Sequence, residues 1–161
     1  MKVAEFVGSD DSEIIFTPSG SASNTLGVKG YYDGNNFGNM YILHSPIAHK
    51  SIINYVKDNK YSCALKVSSL DGFIDFDHLD EKLSLCNRYM LCPLVVVDYA
   101  NSEIGTIQDV EKIIDITHTH GGVVYLDCTA SIPYIKTDVK KLDVDMIGFS
   151  GHKLNALKGV G

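Results

Sequence analysis

The run Leu91-Cys92-Pro93-Leu94-Val95-Val96-Val97 narrows the folds open to this chain more than any other stretch. Its continuous apolar, largely β-branched character suits a strand buried on both faces, and such strands belong to parallel sheets covered by helices on both sides. Residues 123–127 repeat the pattern and end in Asp127. Residues 145–150, with Met146-Ile147-Gly148-Phe149 at their centre, repeat it again. Residues 40–43 and 61–67 read as further strands, and Glu13-Ile14-Ile15-Phe16 as a short one.

Helical stretches fall between the strands. Residues 109–120 are the clearest, because Val110, Ile113, Ile114 and Thr117 recur at helical spacing, acids cluster early and Gly121 can end the helix. Residues 22–32, 50–58 and 77–85 read as helices too, with Asp75 and Asp77 as turn and cap acids; residues 33–39 read as a loop. Alternating strands and helices, with no internal repeat or linker, predict one α/β domain over residues 1–161. Its architecture is three-layer α/β/α with a mostly parallel sheet. At 45% hydrophobic residues the chain can bury a sizeable core.

The chemistry-bearing residues sit where such a sheet presents ligands. Ser150-Gly151-His152-Lys153 follows the last strand directly, so a lysine arrives at a carboxyl edge with a serine and a histidine beside it. That lysine is either an ordinary loop residue or an amine that forms a Schiff base with a carbonyl cofactor, which calls for partial desolvation. Asp127, ending a buried strand, is costly to desolvate unless it meets a donor or a cation. It is either a turn or cap acid, or the partner of a protonated pyridine nitrogen. Pyridoxal phosphate enzymes use such a pair: lysine for the aldehyde, carboxylate for the ring nitrogen. The Pro18-Ser19-Gly20-Ser21 turn can aim N–H groups and hydroxyls at a phosphate, or serve as a solvated helix cap. On periodicity alone His49 is a residue at a helix start, and His44 a polar residue ending a strand. His118 and His120 lie at the end of a helix, where they suit its dipole and do not share a face for a metal.

Taken together, Asn101-Ser102-Glu103-Ile104-Gly105-Thr106-Ile107-Gln108, Asp127, and Ser150-Gly151-His152-Lys153 with Lys158-Gly159-Val160-Gly161 resemble the cysteine desulfurases of the NifS/IscS type, in the class V aminotransferase superfamily. Phe16-Thr17-Pro18-Ser19-Gly20-Ser21 resembles that family's phosphate-side turn, and Ala48-His49-Lys50-Ser51 the segment whose histidine stacks on the cofactor ring. The resemblance covers nearly the whole chain. It implies the large domain of the aspartate aminotransferase-like architecture, with pyridoxal 5′-phosphate as cofactor and L-cysteine as substrate. The product would be L-alanine, with the sulfur left as an enzyme persulfide for iron–sulfur cluster or other sulfur-transfer biosynthesis. It further implies a homodimer at full length and a sulfur-acceptor or scaffold protein as partner. Lys153 would hold the aldehyde and act as base, Asp127 would stabilise the pyridinium, and His49 would stack on the ring and assist proton transfers. Asn101 would bond the ring hydroxyl. Ser150 and His152, with Gly20 and Ser21 of the serine turn, would bind phosphate.

Two departures stand out: Ala130 replaces a glutamine the family uses as a donor, and Ala156-Leu157 replaces its Gly-Pro, which predicts a less tightly turned loop. The family's sulfur-accepting cysteine and carboxylate-binding arginine lie well beyond the cofactor lysine. Here Cys63, Cys86 and Cys92 read as packing residues, Cys128 as buried beside Asp127, and Arg88 as a surface residue. The chain therefore reads as the central part of a cofactor domain, inactive alone. Another class V enzyme, such as a selenocysteine lyase or an aminotransferase, and a non-catalytic paralogue stay open as alternatives.

Charge and composition bear on partners and compartment. A formal charge of −6 and the absence of a basic cluster argue against a nucleic-acid surface. No run of about 18 apolar residues suggests a membrane span. Four cysteines without C-x-x-C spacing support neither a zinc site nor a disulfide framework, and suit a reducing compartment. The cytoplasm is expected, or the mitochondrion if a preceding segment carries a transit peptide.

Overall fold

The computed structural model describes residues 2–35 and 38–161. Five strands, β1 (Met40–His44), β2 (Ser62–Ala64), β3 (Cys92–Asp98), β4 (Val123–Asp127) and β5 (Met146–Gly148), form one sheet in the order β2-β1-β3-β4-β5. All four pairings are parallel. Side chains alternate between two cores, as the two-residue strand period requires. Leu43, Val95, Val97, Val124 and Leu126 pack with α5 (Phe76–Arg88) and α6 (Val110–Thr119) on one face. Ile42, Leu94, Val96 and Tyr125 pack on the other face with Val28, Tyr32, Ile52 and Val56. These last four come from the helical stretch α2 (Gly20–Thr25) to α3 (Tyr31–Asn35) and from α4 (Lys50–Val56). The three layers expected from the alternation of elements are thus present. Short helices α1 (Lys2–Val7) and α7 (Val139–Leu142) complete the set. Among the described residues no helix is long and apolar enough to cross a membrane.

Several boundaries differ from the sequence reading. Residues 13–16 form no strand: a 3-10 turn covers Asp11–Glu13, and Ile15 and Phe16 are exposed, 69% and 59%. With no neighbouring strand, the local β-branched pattern has nothing to pair with. β2 stops at Ala64, since Val67 turns back to bridge Ile74 around the positive-φ Gly72. α5 begins one residue earlier than expected, directly after Asp75, which caps it by accepting from His78 N, and it runs three residues further, to Arg88. The helix expected over 22–32 starts at Gly20 and runs to Asn35, so residues 33–35 of the expected loop are helical, while residues 36 and 37 lie outside the described residues. Cys92 is exposed at the start of β3, so it is not a packing residue.

Between α2 and α3 the helix widens into a π-turn, Leu26–Gly30, where it crosses Tyr125. A Cβ on Gly27 would stand 2.0 Å from Tyr125 Cε2, and one on Gly148 would stand 1.8 Å from its hydroxyl oxygen. Two glycines from different layers thus grip one fully buried ring. This fixes the helix over the sheet end that carries Asp127.

Candidate functional site

The strand order reverses between β1 and β3, and in open α/β sheets the crevice outside the carboxyl ends at such a point is where ligands bind. A cleft of about 790 Å³ opens there. Gly20, Ser21, His49, Asn101, Asp127, Ser150, His152 and Lys153, from five separate stretches of chain, all line it. Every site residue singled out in the sequence is therefore brought to one place.

Asp127 lies on the floor, 4% exposed. Its Oδ1 accepts from Thr129 N (2.9 Å) and its Oδ2 from Asn24 Nδ2 (2.7 Å), so it is a hydrogen-bonded carboxylate aimed at the cleft. Asn24 is itself held on all sides: Tyr125 donates its hydroxyl to Asn24 Oδ1 (2.8 Å), and Asn24 Nδ2 also donates to Ser51 Oγ (3.0 Å). The Ser51 hydroxyl stands 2.7 Å from His49 Nδ1, which also accepts from Ser51 N (3.2 Å). A continuous hydrogen-bonded path thus joins the floor acid to the histidine at the rim. Because His49 Nδ1 accepts a backbone N–H, the neutral ring carries its proton on Nε2. His49 is the cap of α4, as its place at a helix start suggested.

On the opposite wall, buried Ser150 places its Oγ 2.6 Å from His152 Nδ1. Gly20 begins α2 directly beside it: a Cβ there would stand 2.9 Å from Ser150 Cβ and 3.5 Å from Thr129 Oγ1. Ser19 caps the helix by accepting from Ala22 N (3.1 Å), and exposed Ser21 lies in the first turn. The final glycines close this wall. Thr17 and Gly161 exchange two backbone bonds of 2.8 Å, and Gly151 N donates to Val160 O (2.9 Å), tying the lysine turn to the serine turn. The stretch that carries Ala156-Leu157 follows a hydrogen-bonded turn. Asn155 takes the left-handed conformation (φ +58) that asparagine tolerates, and Ala156 N bonds Gly151 O.

Lys153 sits on the 3-10 turn Gly151–Leu154 and is exposed, so the partial desolvation expected of it is not present in this open cleft. Ala130, half-buried, lines the cleft without a donor. None of the four cysteines lines it. Burial pushes the Cys86 thiol up to about 11, and burial together with Asp127 pushes Cys128 further, so neither is a ready thiolate.

Sequence reasoning missed Asn24, Ser51, Thr129 and above all Asp98. Asp98 ends β3 directly beside Asp127, is 6% exposed and lines the cleft. Asn101 Nδ2 donates to its Oδ2 (2.9 Å), while its buried Oδ1 has no partner. Burial, reinforced by the neighbouring Asp127 charge, raises it from 3.8 to about 6, against opposing contributions from Asn101, its own backbone N–H and His49. An acid whose folded pKa is raised stabilises the fold when protonated, so this contribution is complete below pH 4 and lost as pH rises to about 6. The expected loss is about 3 kcal/mol. Urea unfolding of wild type and Asp98→Asn at pH 4 and pH 7 checks it: the difference between the two proteins should grow in the variant's favour at pH 7. Equal differences at both pH values would show an ordinary carboxyl.

A profile of the class V aminotransferases matches residues 1–161, the whole chain. The chain belongs to the class V aminotransferase family. Within it, the chain is 31% identical over 163 residues to the cysteine desulfurase IscS of Buchnera aphidicola subsp. Acyrthosiphon pisum (strain 5A), covering 99% of this chain and 39% of that protein. The solved NifS-like protein from Rickettsia africae ESF-5 superposes with a TM-score of 0.86 at 29% identity, covering 99% of this chain and 43% of that one. SspA, solved in complex with cysteine, superposes with a TM-score of 0.88 at 28% identity over 99% of this chain and 45% of its own. The chain spans about two-fifths of the length of the curated relatives it matches. The class V kinship agrees with the parallel sheet and with the convergence of the NifS-like motifs in one cleft.

Proposed function

We propose that the cleft holds pyridoxal 5′-phosphate and that this chain forms the cofactor-holding part of a cysteine desulfurase. The observation that carries the reading is the convergence of an amine, a buried hydrogen-bonded carboxylate and a cluster of hydroxyl, imidazole and glycine N–H groups on one cleft. Those groups fit the cofactor's aldehyde, ring nitrogen and phosphate. Two buried oxygens without partners, Thr129 Oγ1 on the phosphate side and Asp98 Oδ1 on the floor, fit a polar ligand as well. When bound, the cofactor supplies a carbonyl that an amine can engage and a cationic ring that draws electrons from the amino acid's α-carbon.

The protein's own groups then divide the work. Lys153 Nζ would hold the cofactor through its aldehyde and would serve as the base for the amino acid's α-proton. Asp127, kept in place by Asn24 and Thr129 N, holds a proton on the ring nitrogen. His49, whose neutral ring carries its proton on Nε2, would stack on the ring and pass a proton there. Ser150, His152, Gly20 N–H and Ser21 hold the phosphate. Ser21 suits this better than Ser19, whose Oγ is taken up by Ala22 N. L-Cysteine as substrate, alanine as product and a persulfide as sulfur carrier rest on likeness to the desulfurases, as do the homodimer and an acceptor or scaffold protein.

The test is cofactor uptake followed by turnover. The purified chain should take up pyridoxal 5′-phosphate with absorbance near the visible edge. It should form no alanine from L-cysteine beyond free cofactor, because no thiol lines the cleft and Arg88, its only arginine, lies off it. Absence of uptake would remove the reading. Alanine formation lost on Cys128→Ser would overturn the assignment of Cys128 as inert.

A further inference from the structure

Asn101 has no hydrogen-bonding capacity left for a ligand. Its two amide hydrogens go to Asp98 Oδ2 (2.9 Å) and Ile47 O (2.8 Å), and its oxygen accepts from Glu103 N (2.9 Å) and Ile104 N (3.1 Å). A primary amide has two donors and two acceptor sites, so the residue is fully engaged in building its own turn. The unengaged polar atom next to it is Asp98 Oδ1, buried at the cleft floor beside Asp127. Leaving such an oxygen unmatched is costly, and two adjacent buried carboxyls resist ionising together.

We propose that Asp98, not Asn101, meets the cofactor's ring oxygen, as a carboxylic acid donating from Oδ1, and that Asn101 is the positioning residue that holds Oδ2. This rests on the cofactor reading of the cleft. The charged groups acting on Asp98 are Asp127 from β4 and His49 from the cap of α4; its neutral partners are Asn101 and its own backbone N–H, and Glu103 of the same turn lines the cleft as well. The carboxyl is half-protonated at about pH 6 before a ligand arrives. A ring oxygen carrying negative charge favours the acid form further, so binding takes up a proton. Cofactor affinity then falls as pH rises above that point, approaching tenfold per unit from this group alone.

The isostere separates this from a structural role. In Asp98→Asn the side-chain oxygen can keep the bond from Asn101, and the new NH₂ takes the place of Oδ1 as a donor at every pH. Dissociation constants for pyridoxal 5′-phosphate are measured by absorbance titration at pH 6 and pH 8 for wild type, Asp98→Asn and Asp98→Leu, with circular dichroism to select folded protein. Asp98→Asn should bind about tenfold or more tightly than wild type at pH 8, with the gap closing at pH 6. Asp98→Leu should bind about tenfold more weakly than Asp98→Asn at both. The wild-type/Asn ratio cancels the cofactor's own titration. Ratios unchanged with pH, or an Asn variant weaker than wild type at pH 8, would overturn the proposal while leaving cofactor binding standing. No uptake by wild type would overturn both.

Discussion

Lys153→Ala should abolish covalent fixation of the cofactor and slow exchange of the amino acid's α-hydrogen with solvent by at least about 10²–10⁴, the range lost with a positioned general base. Its neighbours explain why no other lysine can substitute. Lys153 and Lys50 both line the cleft, but Lys50 opens α4 beside His49, whereas Lys153 rises from the turn that Gly151, Val160 and Gly161 tie to the serine turn. The lysine turn and the serine turn are therefore held to one another. Cofactor should still associate with the variant through Ser150, His152 and Asp127, so absorbance would report a free rather than an attached aldehyde. α-Hydrogen exchange in Lys153→Ala within tenfold of wild type would assign the base elsewhere.

Asp127→Ala should leave fixation on Lys153 possible yet slow α-proton loss by about 10²–10³ or more. Removing the partner of a buried charge costs about 3–5 kcal/mol, and each 1.36 kcal/mol on the barrier is tenfold in rate. The variant also frees Asn24 Nδ2 and Thr129 N, so part of any loss could reflect the fold. Exchange of the amino acid's α-hydrogen with solvent, measured beside urea stability, separates the two. Lost exchange in a protein of near wild-type stability is the expected result, and normal exchange would mean that another group serves the ring nitrogen.

Much of this fold was legible because its central strands are buried on both faces. A continuous run such as residues 94–97 leaves few alternatives, and the same logic placed β4 and β5. Residues 13–16 carry an equally β-like local pattern and form no strand, since pairing depends on a neighbour that local sequence does not reveal. The site was legible where chemistry follows directly on a strand end, as at Asp127 and Ser150 to Lys153. Asp98 obeys the same rule and could have been found by it: an acid closing an apolar strand needs a partner wherever it occurs. Asn24 and Ser51 were not legible. Asn24 reaches Asp127 across 103 residues of sequence, and only the packing of the glycine-gripped helix against Tyr125 brings them together. Asn101 shows the opposite case, a motif residue that lines the cleft while its amide is spent on its own loop.

Borohydride reduction of the cofactor-loaded chain, followed by peptide mapping, locates the lysine that holds the aldehyde. One modified residue is expected, Lys153, with labelling absent from Lys153→Ala; modification of a different lysine, or none in a folded and cofactor-saturated protein, would overturn the assignment of Lys153.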